Sequence, residues 1–231
     1  MAVSYMDYTS PNTQFTFDLN NKSFYKKDNQ NYINQLGIEQ LNTLGDTSLL
    51  DIFLNTGNVV EPHIHQNASE LVYCIAGAAV VSLINPFTNL LMNFPIKPRQ
   101  VANVPQGWWH YEIATEDNTH LLAIFDAPTP EAIFGSDIFR LTPANVLAHT
   151  YCLDEATVKK AFAPITKTVV IGPPINCNNI QPREQQNTQQ PVQIASQEPA
   201  NQPQSDDNQQ AHVHRHQQHQ PQHRSPQQLR R

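Results

Sequence analysis

Short apolar runs separated by turn residues recur roughly every ten residues through the middle of the chain. They are LLDIFLNTG (Leu49 to Gly57), LVYCIAGAAVVSLI (Leu71 to Ile84, broken at Gly77), LLMNFPI (Leu90 to Ile96), QVANVP (Gln100 to Pro105), HYEIAT (His110 to Thr115) and HLLAIFD (His120 to Asp126). Runs of this length and spacing predict strands, and their number predicts an all-β sandwich or barrel. INPFTNLL sets Asn, Pro and Asn between two of them, which predicts a hairpin pairing Val80 to Ile84 with Leu90 to Phe94.

The pattern turns helical only after the strands, in RLTPANVLAHTYCLDEATVKKAFAP. Thr142 and Pro143 read as an N-cap and first-turn proline. Asp154 and Glu155 open a second helix with Val158, Ala161 and Phe162 on one face. These faces are too small to form a core of their own, so a helical arm at about residues 142–164 folds back on the sheet or packs on another subunit. A homo-oligomer joined through this arm is the expectation.

Composition changes after Asn176. From Gln181 to Arg231, 17 of 51 residues are Gln and the large apolar side chains are Val192, Ile194, Val213 and Leu229, too few to offset the entropy of ordering the segment. Residues 1–175 are therefore expected to form one domain, and 176–231 a disordered Gln/His-rich tail. HVHRHQQHQPQHR near its end holds five of the chain's ten histidines, a tract able to bind divalent metals loosely or to stay solvated without a defined site.

A formal charge of -6 over 231 residues argues against nucleic acid or an anionic membrane as partner. The N-terminal stretch lacks the pattern of a secretory signal, no run is long enough for a membrane helix, and Cys74, Cys152 and Cys177 are few and far apart. A cytoplasmic, reducing location is expected, with a spore coat or other assembled layer as the alternative.

Candidate chemistry lies in EPHIHQNASE. On a strand, residues two apart point the same way, so His63 and His65 project together, and Glu70 shares a face of the next strand with Val72, Cys74 and Ala76. QNAS supplies a turn between them, and PQGWWH brings a third imidazole, His110, to the start of a strand. Three imidazoles and one carboxylate suit a divalent first-row ion: manganese, iron, nickel, copper or zinc. Read from these residues alone, a metal site and a polar surface cluster both remain open.

GNVVEPHIHQNASELVYCIAG also resembles the first cupin motif, with Gly57, His63, His65, Glu70 and Gly77 at its spacing, and PQGWWH resembles the core of the second. AIFGSDIFRLTPANVLAHTYCLDEATVKK is similar to the segment after the barrel in the germin and oxalate decarboxylase branch of that superfamily. The resemblance spans Phe15 to Pro173. It implies a double-stranded β-helix, or jelly-roll, with a short C-terminal helical arm. It also implies that His63, His65, Glu70 and His110 are metal ligands, with manganese the first choice of ion.

Three positions depart from the family pattern. Arg99 and Ala114 stand where the second motif has Gly and Asn, and Val60 stands where a substrate-holding Arg or Asn is expected. An apolar group cannot pair with a dianion, which speaks against oxalate itself. In APTPEAIFGS, the place of a mobile catalytic lid in the decarboxylases, Glu131 is the only acid. It is either an exposed loop carboxylate or a general acid or base. Cys74, Trp108 and Trp109 read as packing residues, and His120 and His149 as structural.

The function expected is that of a manganese- or iron-dependent enzyme acting on a small carboxylate or oxygen-chelating substrate, by decarboxylation or oxidation. The alternative is a non-catalytic metal-binding or structural cupin of spore-coat or storage type.

Overall fold

The computed structural model describes residues 7–177. Its strands are β1 (Ser23–Lys26), β2 (Tyr32–Leu36), β3 (Ser48–Leu54), β4 (Val59–Ile64), β5 (Glu70–Ala76) and β6 (Ala79–Asn85). Then come β7 (Leu90–Ile96), β8 (Val101–Val104), β9 (His110–Ala114), β10 (Thr119–Phe125) and the short β11 (Ile133–Phe134). Helices α1 (Gly135–Leu141), α2 (Ala144–Tyr151) and α3 (Glu155–Phe162) precede the short β12 (Ile171–Gly172).

The strands form two antiparallel six-stranded sheets. One runs β1-β2-β3-β10-β5-β8; the other runs β11-β4-β9-β6-β7, with β12 paired to β4. Alternation drives the arrangement: β3, β9 and β10 each bury every second residue. The inward side chains meet in one core that includes Ile52, Leu54, Val72, Val81, Leu83, Leu121 and Phe125. The expected hairpin forms as β6–β7, with Val81 opposite Phe94 and Ile84 opposite Leu91.

Gly77 joins β5 to β6 at φ +68°, and a Cβ there would fall 2.5 Å from Thr119 Oγ1 and 2.6 Å from its Cα. Only glycine satisfies both conditions.

The helical segment begins earlier than the sequence reading places it. Helix α1 starts at Gly135, where a Cβ would lie 2.9 Å from the Pro62 carbonyl, and Ser136 hydrogen-bonds the buried Glu61. Tertiary contacts fix this start, and periodicity gives no signal of them. Thr142 is therefore the C-cap of α1 rather than the N-cap of α2, which starts at Ala144 with Pro143 as its N-cap and no side-chain cap hydrogen bond. Asp154 caps α3 as expected, accepting a hydrogen bond from the Thr157 amide. No helix among the described residues is long and apolar enough to cross a membrane. The expected Gln/His-rich tail, residues 176–231, lies outside the described residues apart from Asn176 and Cys177.

Candidate metal centre

Between the sheets, four expected residues converge. His63 and His110 face each other across β4 and β9, His65 follows β4 directly, and Glu70 opens β5 of the opposite sheet. All four are buried, and one ligand atom from each lies within 4.8 Å of every other. His63 Nε2 is 3.1 Å from His65 Nε2, and Glu70 Oε2 is 2.8 Å from His110 Nε2 and 3.5 Å from His65 Nε2. Around a six-coordinate ion with bonds of about 2.1 Å, neighbouring ligand atoms lie about 3 Å apart and opposite ones about 4.2 Å. The separations of 2.8, 3.1 and 3.5 Å match neighbouring positions, and the outer limit of 4.8 Å is wider than opposite ligands allow, so the side chains would draw inward around an ion.

Each ring is oriented by a backbone carbonyl. The Nδ1–H groups of His63, His65 and His110 donate to the carbonyls of Glu61 (2.7 Å), Glu131 (2.8 Å) and Trp108 (2.8 Å). A carbonyl can only accept, so the proton of a neutral ring sits on Nδ1 and the Nε2 lone pair turns inward. Burial holds the His63 and His65 pKa values below the usual histidine range, which keeps both rings neutral and able to ligate. For Glu70, burial raises the pKa, but the hydrogen bond and charge of His110 outweigh it and leave the carboxyl at about 2. At His110, burial works downward while Glu70 raises the imidazole to about 9. Without a metal, then, Glu70 and His110 form a buried ion pair.

Packing closes the site. Phe134 stacks on His63 at a centroid distance of 5.6 Å, and Phe125 meets His65 edge-on at 4.7 Å. Asn67 donates to the Thr129 carbonyl and accepts from the Glu131 amide, binding the 129–131 loop to the turn after His65.

The sequence model of the cupin family matches residues 17–159. The chain is a cupin. It is 30% identical over 131 residues to Germin-like protein 1-2 of Oryza sativa subsp. japonica, covering 53% of this chain and 58% of that one. Glycinin G4 of Glycine max is 26% identical over 109 residues, 47% of this chain and 19% of the relative. Among solved structures, the Bacillus subtilis oxalate decarboxylase at pH 4.6 superposes with TM-score 0.60 at 19% identity, covering 70% of this chain and 43% of that one. The coconut allergen cocosin gives 0.61 at 21% identity, covering 67% and 42%. This cupin thus spans less than two thirds of each.

Glu131, the other candidate of this cupin, lies apart from the buried group. Its side chain is exposed and accepts a hydrogen bond from Gln66 Nε2 at 3.0 Å; only its backbone carbonyl touches the centre, through His65. Trp108 packs against the core, Cys74 is buried, and His149 is exposed on α2. His120 has a partner that no local pattern announces: its Nε2 lies 2.6 Å from Asp51 Oδ1 on the neighbouring strand.

Two buried carboxylates escaped the sequence reading. Glu61, two residues before His63, accepts from the Ser136 amide and hydroxyl and from the amides of Val169 and Val170, so it ties α1 and the 169–170 segment to the strand that carries the ligands. Glu112, two residues after His110, is 1% exposed, with its Oε1 3.8 Å from His110 Nε2 and no hydrogen-bond partner for either oxygen. A signal for Glu112 existed: alternation in HYEIA puts it on the inward face with His110.

Proposed function

We propose that this cupin is a divalent-metal-dependent enzyme acting on a small, oxygen-chelating substrate, with manganese or iron as the ion. The observation that carries the reading is the convergence of three inward-facing Nε2 atoms and one Glu70 carboxylate in a buried space, with every Nδ1 held by a carbonyl. Nickel, copper and zinc have the same ligand preferences and are the alternatives. Such an ion supplies Lewis-acid stabilisation of negative charge on a chelated substrate oxygen. The chain's own part is to orient the imidazoles, to supply one fixed negative charge through Glu70, and to exclude water with Phe134 and Phe125. Glu131, at the loop beside His65, is the candidate for proton transfer with solvent.

A second reading, a non-catalytic metal-binding or structural protein, draws on the exposure of Glu131 and on the apolar Val60, which is 5% exposed. Assembly into a homo-oligomer belongs to both readings; the helical arm leaves Leu141, Tyr151 and Leu153 more than half exposed, an apolar face suited to another copy.

A screen of the manganese- or iron-loaded protein for carbon dioxide release and oxygen uptake tests the reading. Turnover that is lost in Glu131→Gln while the metal content stays unchanged supports the enzyme. Full metal content with no turnover across small carboxylates and hydroxy acids supports the second reading.

A further inference from the structure

The three ligand rings are not held alike. The carbonyls that accept from His63 and His110 belong to Glu61 and Trp108, each two residues away, whereas the one that accepts from His65 belongs to Glu131, 66 residues away in the loop between β10 and β11. For two rings the orientation is built into the local backbone. For His65 it depends on where the 129–131 segment sits.

That segment is anchored at both ends. Before it, the Ile38 amide donates to the Pro128 carbonyl and the Ser48 hydroxyl to the Ala127 carbonyl; after it, Ile133 pairs with Ile64 and Phe134 with His63. In between, among the described residues, its backbone is hydrogen-bonded by Asn67 and by His65 itself. Asn67 Nδ2 donates to the Thr129 carbonyl and Asn67 Oδ1 accepts from the Glu131 amide, both at 2.9 Å. One side-chain amide thus takes up the carbonyl and the N–H on either side of Pro130, as a strand's own peptide group would, and continues the β4–β11 pairing past the end of β4. Asn67 is exposed, where water would satisfy its amide equally well, so burial does not explain the arrangement. The turn that carries it is fixed from the other side, by the Gly107 amide on the His65 carbonyl at 2.9 Å and by Gln106 Nε2 on the Gln66 carbonyl at 2.7 Å.

We propose that Asn67 is a positioning residue of the metal centre: it fixes the 129–131 backbone so that the Glu131 carbonyl holds the His65 proton on Nδ1 and keeps Nε2 turned toward the ion. The inference rests on the proposed metal centre. Without Asn67 the Glu131 carbonyl is free to draw away from the ring. His65 then rotates or carries its proton on Nε2, and a protonated nitrogen cannot ligate. Gln66 makes the useful contrast. Its Nε2 holds the Glu131 carboxylate, not the Glu131 backbone, so it has no such hold on the ring.

The test uses the full chain and two readouts. One is the rate at which bound manganese passes to excess EDTA; the other is the His65 tautomer in the metal-free protein, read by nitrogen NMR of isotope-labelled histidine with His65→Leu to assign the signals. Asn67→Ala should release manganese about tenfold faster than the wild type, or more, and move His65 toward the Nε2–H form. Asn67→Asp, which keeps an acceptor for the Glu131 amide, should fall between the two, and Gln66→Ala should stay within about twofold of the wild type. If Asn67→Ala does not fold, Asn67→Asp carries the comparison, and a release no faster than that of Gln66→Ala counts against the proposal. Release from a folded Asn67→Ala within about twofold of the wild type, with His65 still in the Nδ1–H form, overturns the inference and leaves the metal centre intact. A folded wild type that takes up no manganese at His63, His65, Glu70 and His110 removes both.

Discussion

His63 Nε2 stands 3.1 Å from His65 Nε2, and neither carries a proton to place between them, because Glu61 and Glu131 carbonyls hold the Nδ1–H of each ring. Two lone pairs facing one another in a buried space repel, and a cation placed between them turns that repulsion into attraction. Divalent metal should therefore stabilise the fold, by about 2.7 kcal/mol at a hundredfold excess over Kd. Thermal melts of the metal-free protein with and without manganese check this. His65→Leu should melt at or above the wild type without metal and lose the metal-induced increase in Tm.

Metal binding should release a proton. His110 holds one on Nε2 for Glu70, with its pKa raised to about 9, and that proton must leave before the nitrogen can ligate. Affinity should rise about tenfold per pH unit between roughly pH 7 and 9 and then level off.

The metal-free protein follows a different course. A histidine whose folded pKa is raised contributes stability below its ordinary value of 6.5, and this is lost as pH climbs through 9. A carboxyl lowered to about 2 contributes above its ordinary value of 4.5, and this is lost as pH falls toward 2. The Glu70–His110 pair thus contributes most between about pH 4.5 and 6.5, and the difference in melting temperature between the wild type and Glu70→Gln, followed across pH 3 to 9, should be largest there.

Glu61 supports the centre from behind. Its carboxylate accepts hydrogen bonds from four protein groups while its carbonyl holds the His63 ring. Glu61→Ala strands those donors in a buried place and should cost about 3 kcal/mol or more of stability, measured by denaturant unfolding. Glu61→Gln, which keeps an acceptor oxygen, should lose less.

Arg99 occupies a position built for glycine. Its φ is +74°, in the left-handed region, and its amide reaches back to the Cys74 carbonyl. Arg99→Gly relieves the Cβ strain at some entropic cost and should stabilise the protein by about 0.5–1 kcal/mol, seen as a small rise in Tm.

Much of this architecture was legible in the chain. Alternation over LLDIFL, ELVYCIA and THLLAIF marks β3, β5 and β10, and the HxH and Glu70 spacing brings the right side chains to one cavity. Strands β1 and β2 show no such alternation: β1 buries none of its residues, and β2 buries the adjacent Ile33 and Asn34. The two-residue strands β11 and β12 exist only through pairing with β4, which no local pattern announces. Glu61 and Glu112 were passed over as polar residues in strands; what each does depends on whether partners arrive from elsewhere in the fold. Ser136 and Val170 arrive for Glu61, and none arrives for Glu112.

The central claim is that His63, His65, Glu70 and His110 hold one divalent ion. Metal analysis by plasma mass spectrometry of the full chain, beside His63→Ala with the ten-histidine chain otherwise unchanged, tests it most directly. The prediction is about one manganese or iron per chain in the wild type and loss of that equivalent in the variant, whatever the C-terminal histidines retain. Equal metal content in the two proteins, with both folded, would contradict it.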